Sequence, residues 1–165
     1  MTHIDSMYRQ SAIALLIVAL TAAPTLAQLP NAYGAPISLE NARKAAAAAL
    51  VEMRANKWMM AVAVVDPGGS LVYFEKTDGT QTASVEVAID KARSAALFKR
   101  PTRLIQDTVA AGGAGLRMLG ARGAVPIDGG VPIVMNGVIV GAIGMSGGTS
   151  DQDGQCALAG AAAMK

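Results

Sequence analysis

Val131-Pro132-Ile133-Val134-Met135, then Asn136-Gly137, then Val138-Ile139-Val140-Gly141-Ala142-Ile143-Gly144 is a pair of apolar runs hinged on one dipeptide. Asn-Gly favours a type I′ turn, because both central residues of that turn take positive φ. A turn this short joins strands that must run antiparallel. The stretch therefore predicts a β-hairpin. Its strands do not alternate apolar with polar residues, and continuous apolar strands belong to sheets covered on both faces.

Toward the N-terminus the same design recurs. Met59 to Val65 and Leu71 to Phe74 flank Asp66-Pro67-Gly68-Gly69-Ser70, whose Pro and Gly set turn dihedrals that branched residues cannot adopt. This is a further hairpin, with Asp66 expected to cap its turn. Ser38-Leu39-Glu40-Asn41 opens an alanine-rich helix to about Asn56, with Ser38 as N-cap. From Gln81 to Phe98, Val85, Ala88, Ile89, Ala92 and Ala96 share one helical face. Glu86, Asp90, Arg93 and Ser94 occupy the other, where Glu86, Asp90 and Arg93 read as a solvated and paired charge group. Leu104, Ile105 and Val109 suggest a shorter helix before the Gly112-Gly113-Ala114-Gly115 break, and an alanine-rich helix closes the chain from about Gln152 to Met164. The order helix, hairpin, helices, hairpin, helix predicts a three-layer α/β/α domain around an antiparallel sheet. A parallel doubly wound sheet is disfavoured by the hairpin turns.

At the N-terminus, apolar Ser11 to Ala23 is followed by Pro24 and Thr25-Leu26-Ala27, which places small residues where signal peptidase needs them. Residues 1–27 are expected to be a signal peptide, 28–37 a linker and 38–165 one domain in the periplasm or secreted; initiation at Met7 would give a more ordinary signal. The run falls short of the roughly 20 apolar residues of a bilayer span, so no stable membrane span is expected after cleavage. The formal charge is +2 and the basic residues are dispersed, so nucleic acid is not expected as a partner. His3 is the single histidine and lies in the segment expected to be removed. Ser-His-Asp catalysis, histidine metal sites and proximal-histidine haem ligation then have no histidine to use. Cys156 stands alone, which excludes an intrachain disulfide and a Cys/His zinc cluster; a buried inert thiol is favoured over a nucleophile. Abundant Ala and Gly with few aromatics permit close subunit approach, and a homo-oligomer is the expected consequence.

Among polar candidates, Gly129-Gly130 and Ser146-Gly147-Gly148 flank the Asn-Gly hairpin at strand ends that lie side by side. Exposed backbone N–H groups there, with Ser146, Thr149 and Ser150, could hold a carboxylate or phosphate; turn-making and tight packing are the equal alternative. Gly112-Gly113-Ala114-Gly115 lacks the ending of a P-loop and reads as a helix break. Lys91 lies at the edge of its helix's apolar stripe, where snorkelling is favoured over pointing into a pocket. No complete acid–base or nucleophile pair supports an enzyme class.

Three segments, AVAVVDPGGSLVYFEKTDG, AIDKARSAALFKRPT and GGVPIVMNGVIVGAIGMSGGTSDQDGQCALAG, resemble the GlcG/HbpS-like family, also called the haem-degrading domain family, from Ser38 to the C-terminus. The resemblance implies a profilin-like α/β/α fold, assembly into oligomers and, for secreted members, haem binding with roles in haem degradation or redox sensing. Other members occur beside glycolate and diol metabolism. The family's recurrent pattern falls on Lys91, Gly129, Gly130, Pro132, Ser146, Gly147 and Asp153, the expected ligand-binding residues. Where the family ligates iron through histidine this sequence has no counterpart after export, which leaves Tyr73, the methionines, Cys156, Thr102 and Thr108 as alternatives. The expected function is an exported haem-binding protein in haem handling or redox sensing. The alternatives are a binder or enzyme for a small hydroxy- or keto-acid, and a non-catalytic accessory oligomer.

Overall fold

The computed structural model describes residues 31–165; the expected signal peptide, residues 1–27, lies outside the described residues. The Asn-Gly hairpin forms as expected from its turn chemistry, with Asn136 at φ 50° and Gly137 at φ 78°. It joins β3 (Gly130–Met135) to β4 (Val138–Ser146). The other hairpin joins β1 (Ala61–Val65) to β2 (Leu71–Lys76), and Asp66 Oδ1 caps its turn by accepting from the Ser70 N–H at 2.9 Å. The sheet order is β2-β1-β4-β3, every neighbouring pair antiparallel, with Ala61 opposite Ser146 and Gly130 opposite Gly144. β1 is buried along its whole length, as a strand covered on both faces must be.

The two covers divide the helices. On one face lie α1 (Leu39–Ala55) and α4 (Ser150–Ala162), packed over Val62, Val64, Ile133 and Ile143. Ser38 Oγ accepts from the Asn41 N–H at 3.2 Å, the expected N-cap of α1. Thr149 and Gln152 form a reciprocal capping box on α4, which starts two residues before the sequence suggests. Cys156, on α4, is wholly buried in this layer. On the opposite face α2 (Ser84–Phe98) lays Ala88, Ala92, Ala95 and Ala96 on Ala61, Ala63 and Ala142. The approach is so close that a Cβ at Gly144 would run into the Ala88 carbonyl and the Ala92 backbone nitrogen. An alanine face over a glycine on the strand is what admits a helix backbone this near the sheet.

α3 (Thr102–Ala110) is followed at Gly112 and Gly113, both at positive φ, by a 3₁₀ helix over Gly113–Gly120. The sequence indicated only a break there. Within the stretch expected to be a linker, Tyr33 forms a parallel bridge with Ile139 at the edge of β4. β1 ends opposite Ala142, which leaves β4 with a free edge at Ile139 and Val140. Ile139 donates to the Ala32 carbonyl and accepts from the Gly34 N–H, both at 2.8 Å, and Ile37 donates to Val140. Tyr33 then donates its hydroxyl to the Ala96 carbonyl at 2.9 Å, and Lys99 lies 4.1 Å from the centroid of its ring. No described helix is long and apolar enough to cross a membrane.

Candidate functional site

Lys91 does not snorkel. It is 1% exposed, because α2 rides so close to β4 that its side chain runs under the end of the sheet rather than out over its edge. There its ammonium donates to the Met145 carbonyl at 3.1 Å and to Asp153 Oδ2 at 2.7 Å. Asp153, in the first turn of α4, accepts from the Gly148 N–H with its other oxygen at 3.0 Å. Burial pushes the Asp153 carboxyl up, while the Lys91 ammonium beside it pulls it back down. An ion pair this deep is retained because each partner neutralises and hydrogen-bonds the other.

Gly129 closes the pair off from above. It has φ 124°, and a Cβ there would stand 2.9 Å from Lys91 Nζ, 2.8 Å from Asp153 Cβ and 2.7 Å from the Met145 carbonyl. Both its backbone angle and its space require glycine. Gly130 donates to Thr102 Oγ1 at 2.9 Å, and its Cα faces the Lys91 carbonyl. Asp128, also buried, accepts from the Gly129 N–H at 2.6 Å, while its own N–H donates to Gln106 Oε1 at 2.8 Å. Burial raises the Asp128 carboxyl; the Gly129 N–H, Arg103 and Lys91 oppose that rise. Arg103, 3.8 Å from Asp128, also reaches Asp107 at 3.0 Å and Asp151 at 2.9 Å, so it straps α3 to the start of α4.

Of the seven expected ligand-binding residues, Lys91, Gly129, Gly130 and Asp153 thus meet in one buried knot. Ser146 is buried beside it and donates to Ser84 Oγ at 3.3 Å. Gly147 packs against the Met59 carbonyl. Pro132 lies elsewhere, on the edge strand β3, beside a 290 Å³ cleft shared with Leu158, Ala161 and Lys165. The expected anion cradle is spoken for from within: the Gly148 N–H serves Asp153, the Thr149 N–H serves Gln152, and the Thr149 hydroxyl caps α4.

Gly148, whose N–H serves Asp153, also lines a surface cleft of 300 Å³. Lys57, Trp58 and Met59 form one wall, at the exit from α1; Gly79 and Gln81 follow β2; Gly147, Gly148 and Gln152 complete it. Sequence reasoning did not connect the first wall to the glycine-rich segment. The signal was present in the end of α1. The Lys57 N–H donates to the Arg54 carbonyl at 3.0 Å and the Trp58 N–H to the Met53 carbonyl at 3.1 Å. That is the Schellman pattern of helix termination, here with lysine at the left-handed position, φ 59°. It turns Trp58 half into the core and leaves Met59 55% exposed at the cleft. Among the described residues no group of three or more His, Cys, Asp or Glu side chains could hold a metal ion.

A family model described as haem degrading protein HbpS-like matches residues 37–162. Protein GlcG of Escherichia coli strain K12 is 35% identical over 110 residues, which cover 67% of this chain and 81% of GlcG. Among solved structures, HbpS superposes with a TM-score of 0.73 at 32% identity, covering 80% of this chain and 92% of that one. PduOC, solved as a complex with haem, gives 0.71 at 26% identity over 79% and 96% of the two chains. With a matching family model across nearly the whole described domain, and a relative 35% identical over two thirds of this chain, the chain belongs to the HbpS-like family.

Proposed function

We propose that this chain is an exported haem-binding protein acting in haem handling or redox sensing. The observation that carries the reading is the match of residues 37–162 to a haem-degrading family; the similarity to a protein solved with haem supports it. The cleft beside Trp58 does not by itself fit a porphyrin, being small at 300 Å³ and walled mainly by glycine, glutamine and lysine. Haem, when bound, would supply one-electron iron chemistry. Export rests on the signal-like pattern of residues 1–27.

Titration of the full chain with haemin tests the reading. A saturable Soret shift with quenching of Trp58, the single tryptophan, supports it. Absence of both removes it. Mass spectrometry of protein recovered from outside the cytoplasm should find Gln28 at the N-terminus, and an uncleaved cytoplasmic chain would remove the export half.

A binder of a small hydroxy- or keto-acid is the second reading. A cleft of 300 Å³ is at the lower end of ligand pockets, and Lys57, Gln81 and Gln152 on its rim suit a carboxylate with a neighbouring hydroxyl or carbonyl. A flat thermal-shift response to glycolate, glyoxylate and lactate would remove that support.

A further inference from the structure

Residues 104–127 depart from the rest of the domain. Between Thr102 and Asp128, which are both buried, Ile105 alone is buried, yet the stretch is rich in apolar side chains. Leu104, Leu116, Leu119 and Ile127 are 53%, 50%, 62% and 42% exposed. The 3₁₀ helix over Gly113–Gly120 contributes no buried residue at all. Runs of 3₁₀ helix longer than three or four residues are uncommon because their hydrogen-bond geometry is poor, so one of this length depends on packing. Within the chain that packing comes from one side. Gly115 lies against the Thr108 carbonyl, which folds the 3₁₀ helix back on α3, and Gly123 comes up to Leu97, itself 49% exposed. Val125 then donates its N–H to Ser94 Oγ at 3.0 Å. Side chains three apart eclipse on a 3₁₀ helix, so Leu116 and Leu119 form one ridge, and that ridge is uncovered. Scattered exposed leucines are ordinary; a group of them on one segment marks an interaction surface.

The charges indicate what covers it. Arg103 is shared by Asp107, Asp151 and Asp128 at 3.0, 2.9 and 3.8 Å, and the side chains of Asp107 and Asp151 remain 55% and 80% exposed. Three carboxylates around one guanidinium make that part acidic. Arg117 and Arg122 are exposed and, among the described residues, join no ion pair. That part is basic. A surface carrying leucines and both signs of charge complements itself under a two-fold axis, which sets one patch against its own copy. An anionic lipid surface would suit the arginines and repel Asp107 and Asp151. A stable interface takes about 20–30 residues from each partner, which is the length of this segment.

We infer that residues 104–127 are the face through which two copies of this chain pair, with Leu116 and Leu119 of each packing together and Arg117 and Arg122 of one copy facing Asp107 and Asp151 of the other. The inference does not depend on the haem reading.

Light scattering and concentration-dependent hydrogen exchange of the full chain test it. The parent should have twice the monomer mass or a multiple of that, and the amides of residues 113–127 should exchange more slowly as concentration rises. Leu116→Glu with Leu119→Glu should weaken association roughly a hundredfold and leave the circular dichroism unchanged, because neither side chain is buried. Leu39→Glu with Val51→Glu, at exposed positions of α1, should leave the mass as it is. Arg117→Glu and Asp151→Lys chains should each associate poorly alone and pair when mixed, since mixing restores opposite charges at both contacts. A monomeric parent, an unchanged mass in the double leucine variant, an equal loss in the α1 control, or charge-reversed chains that stay apart on mixing would each overturn the inference. A monomer that sediments with phosphatidylglycerol vesicles through Leu116 and Leu119 would overturn it in favour of a lipid surface.

Discussion

Lys91 and Lys57 use their charges in opposite ways. Lys91 is 1% exposed and is committed to Asp153 and the Met145 carbonyl, so its ammonium ties α2, β4 and α4 together. Lys57 is exposed and, among the described residues, unpaired, and it sits in a backbone conformation that suits glycine better. A residue type conventionally read as a surface charge is thus the deepest fastening in one region and a solvated charge in the other. Burial with a partner marks the fastening; exposure at a helix end leaves the other charge to solvent.

The comparison can be broken most forcefully at Asp153. Asp153→Ala leaves the Lys91 charge buried and unpaired and should cost about 3–5 kcal/mol of unfolding free energy in urea. The double variant Lys91→Met with Asp153→Leu should recover much of that loss, because it removes both desolvated charges together. Recovery in the double variant is what distinguishes an electrostatic fastening from a packing defect.

Gly129→Ala is next in size. The added methyl meets the ammonium, the Asp153 side chain and the Met145 carbonyl at once, so overpacking should cost about 1–3 kcal/mol. Lys57→Gly has the opposite sign: relief of left-handed strain, less the extra backbone entropy of glycine, should gain up to about 1 kcal/mol. A stability gain at Lys57 beside a loss at Gly129 would sharpen the contrast, and two losses would dissolve it.

The smallest effect is in pH dependence. Burial raises the Asp128 and Asp153 carboxyls above their ordinary range, so the folded state binds those protons more tightly than the unfolded chain does. Their contribution is fully present below the ordinary aspartate pKa and is lost as pH rises through the raised folded values. Stability measured across the acidic range should therefore fall less with rising pH in Asp128→Asn than in the parent.

The two hairpins were legible because Asn136-Gly137 and Asp66-Pro67-Gly68-Gly69 dictate local geometry without help from the rest of the chain. The layering followed from apolar strands and alanine faces. The knot was only half legible. The sequence marked Lys91, Gly129 and Asp153, but Lys91 read as a snorkelling residue because its burial depends on how near α2 lies to β4, which the Ala88 to Gly144 approach sets. The segment from Ala32 to Ile37 read as a linker because nothing in its own composition reports that β1 stops short and leaves Ile139 and Val140 unpaired on one edge. The hydroxyl donors near Ser146 were found, but their partners Ser84 and Gln152 are tertiary and helix-cap choices that the pattern did not rank. The cleft was missed because its wall is built from a helix exit at Lys57 and a loop at Gly79, far apart in the chain from the glycines they face.

The single cysteine gives the molecule a clock of its own. Cys156 lies one turn after Asp153 on α4, shielded on all sides, and at neutral pH a thiol pushed up to about 12 is almost entirely unreactive. A thiol-modifying dye can label it only when α4 lifts from the sheet. Labelling speed therefore counts the openings of the helix that carries the knot, and the same reagent can time how firmly each substitution or added haem holds it shut.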